Sequence, residues 1–357
     1  MKAREDLDNL PPIKVVGVGG GGCNAVTRMM AESIRGVQLV AVNTDAQALA
    51  HTDAHMRIRI GDRLTKGLGV GGDPGKGLRA AEESREELFD AVKGAEMVFI
   101  TAGMGGGTGT GASSIVGEVA REAGALAIGI VTKPFAFEGA KRRFQAEEGI
   151  THLRDKVDTL IVIPNDRLLA VCSSEVTVTE AFRMGDEVLR QSIQGISEVI
   201  TIPGDINLDF ADVRKIMGEA GPALLAIGRG SGENRAVEAA RAAITSPLLD
   251  TSIEGAKGVL FNVTGSRTVS LHELNLAAQV ISEVVDPDAE IIFGTATDPE
   301  LGDEIKVTVI ATGFTPAESQ TLDRDQRIRQ IRVQASAMQN VADTDLPTFL
   351  RRTVSLR

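Results

Sequence analysis

Gly105-Gly106-Gly107-Thr108-Gly109-Thr110-Gly111 follows directly on the apolar run Met97-Val98-Phe99-Ile100 and its short continuation. Such a density of bare backbone has a chemical use. Glycine accepts positive φ and leaves no Cβ in the way of a ligand, so a glycine turn between strand and helix can wrap amide N–H groups around phosphate. No Gly-Lys-Ser/Thr follows, so this is not a Walker A loop. Its donors are amides and the Thr108 and Thr110 hydroxyls. A second cluster, Gly17-x-Gly19-x-x-Gly22, also lies between a strand and a helix pattern. Alone it is the dinucleotide fingerprint, with Asp45 about where a ribose-binding acid would lie. A third stretch, GLGVGGDPGKG, covers residues 67–77. Several phosphate-sized loops on one sheet edge point to a triphosphate held from several sides, and neutral donors call for Mg²⁺ to balance its charge.

Other residue types carry chemistry too. Asp209 and Asp212, in NLDFADVRK, are three apart at a helix start. That spacing suits an N-cap with its partner and equally a pair of catalytic carboxylates. His51 and His55 have i, i+4 spacing, which would bind metal on a helix, but no ligand set lies nearby and a solvated pair is expected. ESREELFD (83–90) reads as an exposed helix face with i, i+4 pairs. DLPTFLRR (Asp345–Arg352) mixes Pro, Phe, Leu and paired Arg, a composition suited to docking in a partner's groove.

The elements that must position these residues follow from periodicity. Apolar runs at 13–18, 37–42, 56–60, 97–102, 126–131 and 159–163 alternate with amphipathic stretches, including a helix expected over 78–93. Near-continuous apolar strands separated by helices predict a parallel sheet covered on both faces, with ligands at the carboxyl ends of its strands. A long helix is expected from Val178 to Thr201, ended by Pro203-Gly204. Strands near 222–228, 258–265, 289–297 and 304–314, with helices near Arg235–Thr245 and Leu271–Val285, predict a second α/β domain.

Composition narrows the class. The 357 residues suffice for two domains, and 43% are hydrophobic. A net charge of −11, with no Trp and no Tyr, argues against a nucleic-acid partner. Cys23 and Cys172 form no metal spacing, and reduced thiols in a cytosol are the simplest reading. The first residues, MKAREDLDNLPP, lack the apolar core of a signal peptide, and no apolar run is long enough for direct membrane insertion.

GGGTGTG is the signature of the tubulin superfamily, and from about Ile13 to Phe314 the chain resembles the FtsZ family of bacterial cell-division GTPases. The terminal DLPTFLRR is similar to that family's C-terminal peptide. The resemblance implies a Rossmann-like, parallel-sheet GTPase domain over 12–177 and a central helix over 178–202. It further implies a catalytic loop and following helix over 203–221, a C-terminal α/β domain over 222–314, a mobile linker over 315–344 and a partner-binding peptide over 345–357. It assigns Gly20, Gly21, Gly22, Cys23 and Asn24 to nucleotide, and Gly106, Gly107, Thr108, Gly109 and Thr110 to phosphate. Glu138 and Arg142 would contact ribose; Asn165, Phe182 and Asp186 would contact guanine. Spacing alone would make Phe182 a helix-core residue. By the same resemblance Asn207, Asp209 and Asp212 act on GTP bound by the next subunit of a head-to-tail filament, with Mg²⁺ and turnover from GTP to GDP. Partners would be further copies of this chain, other division proteins and membrane tethers, at the midcell division site in the cytoplasm. The short linker and Asp73, where relatives commonly carry Asn, depart from the pattern; Asp73 would repel the γ-phosphate or hold Mg²⁺. Two other readings stand beside this one, a dinucleotide-dependent oxidoreductase and a non-hydrolysing tubulin-like scaffold. The signature loop and NLDFADVRK argue against the first, and intact Asp209 and Asp212 against the second.

Overall fold

The computed structural model describes residues 11–32, 34, 36–169, 176–202, 206, 208–249, 252–266 and 269–314. Asn207, Cys172, the linker and the terminal DLPTFLRR lie outside them. Six apolar runs form parallel strands: β1 (Ile13–Val18), β2 (Val37–Asn43), β3 (Met56–Arg59), β4 (Met97–Gly103), β5 (Leu126–Lys133) and β6 (Thr159–Pro164). They lie in the order β3-β2-β1-β4-β5-β6. Strand residues point alternately to the two faces, and both faces are covered. Val16, Val40 and Val98 enter one core, while Val15, Leu39 and Phe99 enter the other.

The connecting helices are α1 (Gly19–Ala31), α2 (Ala46–Ala50), α3 (Asp62–Thr65), α4 (Pro74–Glu83), α5 (Arg85–Val92), α6 (Thr108–Glu122), α7 (Ala140–Arg154) and α8 (Asn165–Leu168). Residues of α4, α5, α6 and α7 fill the first core, those of α1 the second. The helix expected over 78–93 is in fact two. It begins earlier, at Pro74, because the Asp73 carboxylate accepts from the Lys76 N–H and caps it. It breaks at Ser84, whose hydroxyl oxygen accepts from the Gly61 N–H at 3.1 Å. The acidic stretch 83–90 does not pair along its own helix at i, i+4. Arg85 reaches Glu118 and Glu122 on α6 at 3.0 and 2.7 Å, and Glu83 accepts from the amides of Arg63 and Leu64. The two histidines share no helix. His51 ends α2, while His55 Nδ1 accepts from the Leu39 N–H at 2.9 Å, so His55 serves the strand and not a metal.

The central helix α9 spans Val178–Thr201 as its periodicity predicts. Thr177 and Glu180 close a capping box at its start. Leu189, Ile193 and Ile196 bury its apolar stripe against the second core. The helix α10 (Phe210–Met217) follows, then β7 (Gly221–Gly230), α11 (Arg235–Ile244), β8 (Gly258–Gly265), α12 (Leu271–Ser282), β9 (Glu290–Thr297) and β10 (Ile305–Thr312). β6 pairs with β7 only from Thr159↔Gly221 to Ile161↔Ala223. That short ladder joins the two α/β regions, and among the described residues the sheet then continues β7-β10-β8-β9. β10 runs antiparallel to both β7 and β8, whereas β6 and β7, and β8 and β9, are parallel.

One polar contact locks α9 to the C-terminal strands. Lys306 Nζ on β10 donates to Glu198 Oε2 at 2.8 Å, with both side chains nearly buried, and the Gln194 amide donates to the other Glu198 oxygen. Removing one member of a buried pair strands the other charge. Lys306→Met should therefore lower stability by about 3 kcal/mol, seen as an earlier urea midpoint. The double replacement Glu198→Leu with Lys306→Met should recover most of the loss.

Candidate nucleotide site

The glycine clusters meet at the C-terminal edge of β1 and β4. Gly19, at φ 71°, opens α1 with its Cα against the start of α6; a Cβ there would lie 2.6 Å from the Gly109 nitrogen. Gly17 and Gly22 serve packing, since a Cβ on Gly22 would overlap the Thr101 carbonyl oxygen of β4. Gly111, expected as part of the phosphate loop, is also a packing glycine, pressed against Pro74 and Leu78 of α4. Gly20 and Gly106 differ from all of these. A Cβ on either meets nothing within 4 Å, so their backbones face open space. Gly20 and Gly21 are exposed in the first turn of α1, where N–H groups lack intrahelical partners, and Asn24 is exposed one turn on.

The side chains of these loops are largely committed. The Thr110 hydroxyl accepts from the Gly105 N–H at 2.9 Å and holds the loop closed. The Thr108 and Thr44 hydroxyls pair at 2.9 Å, both buried. These two threonines thus shape the loop, and outward-facing donors come from its backbone. Cys23 is buried, its Sγ directed to the Val42 carbonyl, and burial pushes its thiol up to about 11. Its thiol faces β2, away from the opening. Asp45 spends Oδ1 on the Gln47 and Ala48 amides of α2, and Asp73 spends Oδ1 on α4. Both carboxylates, read from sequence as ligand contacts, are helix caps first.

A second group lies toward α9. Glu138, in a 3₁₀ turn over Ala136–Glu138, accepts from the Phe135 N–H and from Arg142 Nη1 of α7. Phe182 is 41% exposed, which sets aside the helix-core expectation. Its edge meets Phe135 at 5.5 Å and Phe137 at 6.4 Å between ring centroids. Asp186 lies one turn further along α9, mostly buried, with Oδ2 accepting from Arg28 Nε at 3.0 Å. Burial raises its pKa, and Arg28 opposes the rise. Asn165 begins α8, and its buried Oδ1 has no hydrogen-bond partner among the described residues. Beside it, a Cβ on Gly185 would come within 3.3 Å. An orphaned buried acceptor, an exposed aromatic face and a carboxylate together suit a flat heterocycle with N–H donors.

Asp209 and Asp212 are not brought to this group. Asp209 caps α10, its Oδ1 accepting from the Asp212 N–H at 2.8 Å. Arg214 of α10 donates to the Gly124 carbonyl oxygen and faces Glu96, both preceding parallel strands. The Thr159 hydroxyl, at the start of β6, donates to the Met217 carbonyl. α10 is therefore anchored at the N-terminal edge of the sheet. From Phe182 to Thr201 alone, α9 adds about 28 Å of separation at 1.5 Å per residue.

Residues 12–173 match the family model described as the Tubulin/FtsZ family, GTPase domain, and 221–315 match that of the FtsZ family, C-terminal domain. An empty FtsZ dimer from M. jannaschii is 43% identical with a TM-score of 0.82, covering 87% of this chain and 92% of its own. The chain belongs to the FtsZ family. Two CetZ structures from Haloferax volcanii share the fold at 20% identity: a GDP-bound CetZ1 monomer (TM-score 0.75, covering 91% and 99%) and a GTPγS-bound CetZ2 protofilament (TM-score 0.73, covering 90% and 99%).

For an FtsZ-family chain, then, the glycine clusters belong to a GTPase domain. Sequence reading missed Asn43, Thr44 and Arg28. Asn43 and Thr44 close β2 beside the signature loop, and the polar trio Asn43-Thr44-Asp45 after an apolar strand was the available signal. Arg28 sits four residues after Asn24, on the same face of α1.

Open and packed glycines should respond oppositely to a methyl. Gly22→Ala should cost about 2 kcal/mol or more through overlap with β4. Gly20→Ala should leave the melting temperature unchanged or slightly higher, because Ala favours helix, yet weaken GDP binding about tenfold by obstructing the amides. Thermal melts and titration calorimetry of both variants check the contrast.

Proposed function

We propose that this chain binds GTP at the C-terminal sheet edge and hydrolyses it only where a second copy supplies Asp209 and Asp212. The separation of those carboxylates from the glycine loops within one chain carries the reading. The amides of Gly20, Gly21, Gly22, Cys23 and Asn24, with those from Gly106 to Thr110, enclose the phosphates. Glu138 and Arg142 flank the ribose. Phe182 stacks on the base, and Asn165 and Asp186 accept from its donors, which adenine does not offer in that pattern. The Gly17–Gly22 and Gly105–Gly111 clusters hold no Lys or Arg, so Mg²⁺ would neutralise the phosphate charge when bound. Among the described residues no group of three or more His, Cys, Asp or Glu could cage a metal. The metal would rest mainly on phosphate oxygens, with Asp45 and Asp73 the carboxylates beside the loops.

In the assembled pair, Asp209 and Asp212 of one copy orient a water toward the γ-phosphorus held by the other, giving GDP and phosphate. Asn207 would join them. A contact between opposite ends does not close on itself, so it generates filaments, as the CetZ2 protofilament illustrates for a protein of this fold. Loss of the γ-phosphate removes contacts at the junction and weakens it. The 43% identity to FtsZ supports a role in the cytoplasmic division ring, with Asp345–Arg352 recruiting membrane tethers and other division proteins. Among the described residues no helix is long and apolar enough to cross a membrane, which suits a tethered filament.

GTP turnover per subunit should be near zero when the protein is dilute. It should rise together with light scattering above a threshold concentration, with Mg²⁺ present. Asp212→Asn should lower turnover about a hundredfold or more while leaving GDP affinity of the monomer within about twofold. Turnover per subunit that stays flat with concentration would place a complete active site in each monomer and overturn the shared-site reading.

A further inference from the structure

Arg28 holds Asp186, but no role toward a ligand has yet been given to it. It lies on the face of α1 that carries Gly20 and Asn24, about 12 Å along the axis from Gly20 at 1.5 Å per residue. Its Nε donates to Asp186 Oδ2 at 3.0 Å, across the gap between α1 and α9. Asp186 Oδ1 makes no hydrogen bond among the described residues, and the Asp186 side chain is only 13% exposed. Of the guanidinium groups one turn away on α9, Arg190 is engaged with both oxygens of Glu187 and with Gln194, and Arg183 makes no ion pair with Asp186. Arg28 is thus the cation that holds this carboxylate.

We infer that Arg28 is a positioning residue for guanine recognition, aiming the Asp186 carboxylate so that it accepts from the N1–H and exocyclic amine of the base. The inference rests on the GTP site proposed above. An ionised carboxylate offers about four lone-pair sites, so one bond to Arg28 leaves the outward oxygen and part of Oδ2 for the base. Burial favours the protonated acid, which would present a donor where guanine also presents donors. The guanidinium opposes that protonation and fixes the carboxylate plane. A residue that merely clamped α1 to α9 would affect every nucleotide alike.

GDP and IDP separate these roles, because they share phosphates and ribose and differ only in the exocyclic amine. Calorimetric titration of the nucleotide-free full-length chain should give a GDP preference of about tenfold, the worth of one hydrogen bond to a charged group. Arg28→Gln should cut that preference by about threefold or more, mainly through weaker GDP binding, and Arg28→Lys should restore part of it. Arg190→Gln, which breaks a neighbouring ion pair on the same helix, should leave the ratio unchanged. If Arg28→Gln weakens GDP and IDP equally, Arg28 is a clamp and the inference fails. Asp186→Asn distinguishes that failure from a wrong base site. A ratio collapsed in Asp186→Asn but intact in Arg28→Gln refutes only the positioning role, whereas a ratio intact in both refutes the base contact as well.

Discussion

Gly19 and Gly109 sit back to back, so close that a methyl on the first would lie 2.6 Å from the nitrogen of the second. The rest of the site depends on that approach. It brings the starts of α1 and α6 to one point on the sheet edge, and it is possible only because Gly19 carries no side chain there. Gly22 against β4 and Gly111 against α4 extend the same constraint into the helices. With the packing glycines consumed in this way, Gly20 and Gly106 remain as uncovered backbone. The uncovered amides on which the proposed phosphate recognition rests are therefore left by helix packing.

The second organising element is α9. It carries Phe182 and Asp186 near its start, an apolar stripe through its middle, and the Glu198–Lys306 pair near its end. Its packing against the sheet fixes the far end as firmly as the near end. The distance between Phe182 and Asp186 and the Asp209–Asp212 turn is thus set by helix length. A shorter helix would have brought the two groups closer together. This one imposes separation, and α10, tied to Glu96, Gly124 and Thr159, holds the carboxylates where they are.

The elements of the fold were legible because their periodicities are strong. The apolar runs became strands within a residue or two, and α9 matched its pattern from Val178 to Thr201. The helix over 78–93 was misread because apolar spacing continues across Ser84, and only the Gly61–Ser84 contact shows where the axis breaks. The i, i+4 pairing expected of the acidic stretch failed for a related reason, and His55, exposed as expected, also has a partner that spacing does not show. Their partners lie on other elements, Glu118 and Glu122 for Arg85 and the Leu39 amide for His55, and spacing along one segment cannot express a contact across space.

The sequence by itself determined the residue types: which backbones are bare, which strands are apolar on both faces, and that two carboxylates stand three apart at a helix start. Those properties are local, encoded by φ freedom, side-chain volume and short-range spacing. Only the tertiary structure decided which glycines pack and which stay open, because that depends on what lies opposite each Cα. It also decided that Thr108 and Thr110 turn inward, that Phe182 is exposed, that Arg28 meets Asp186, and that Asp209 and Asp212 stand at the other end of α9 from Phe182 and Asp186. Each of these is a relation between segments distant in sequence. Such relations exist only once the sheet order and helix lengths have placed the segments side by side or apart.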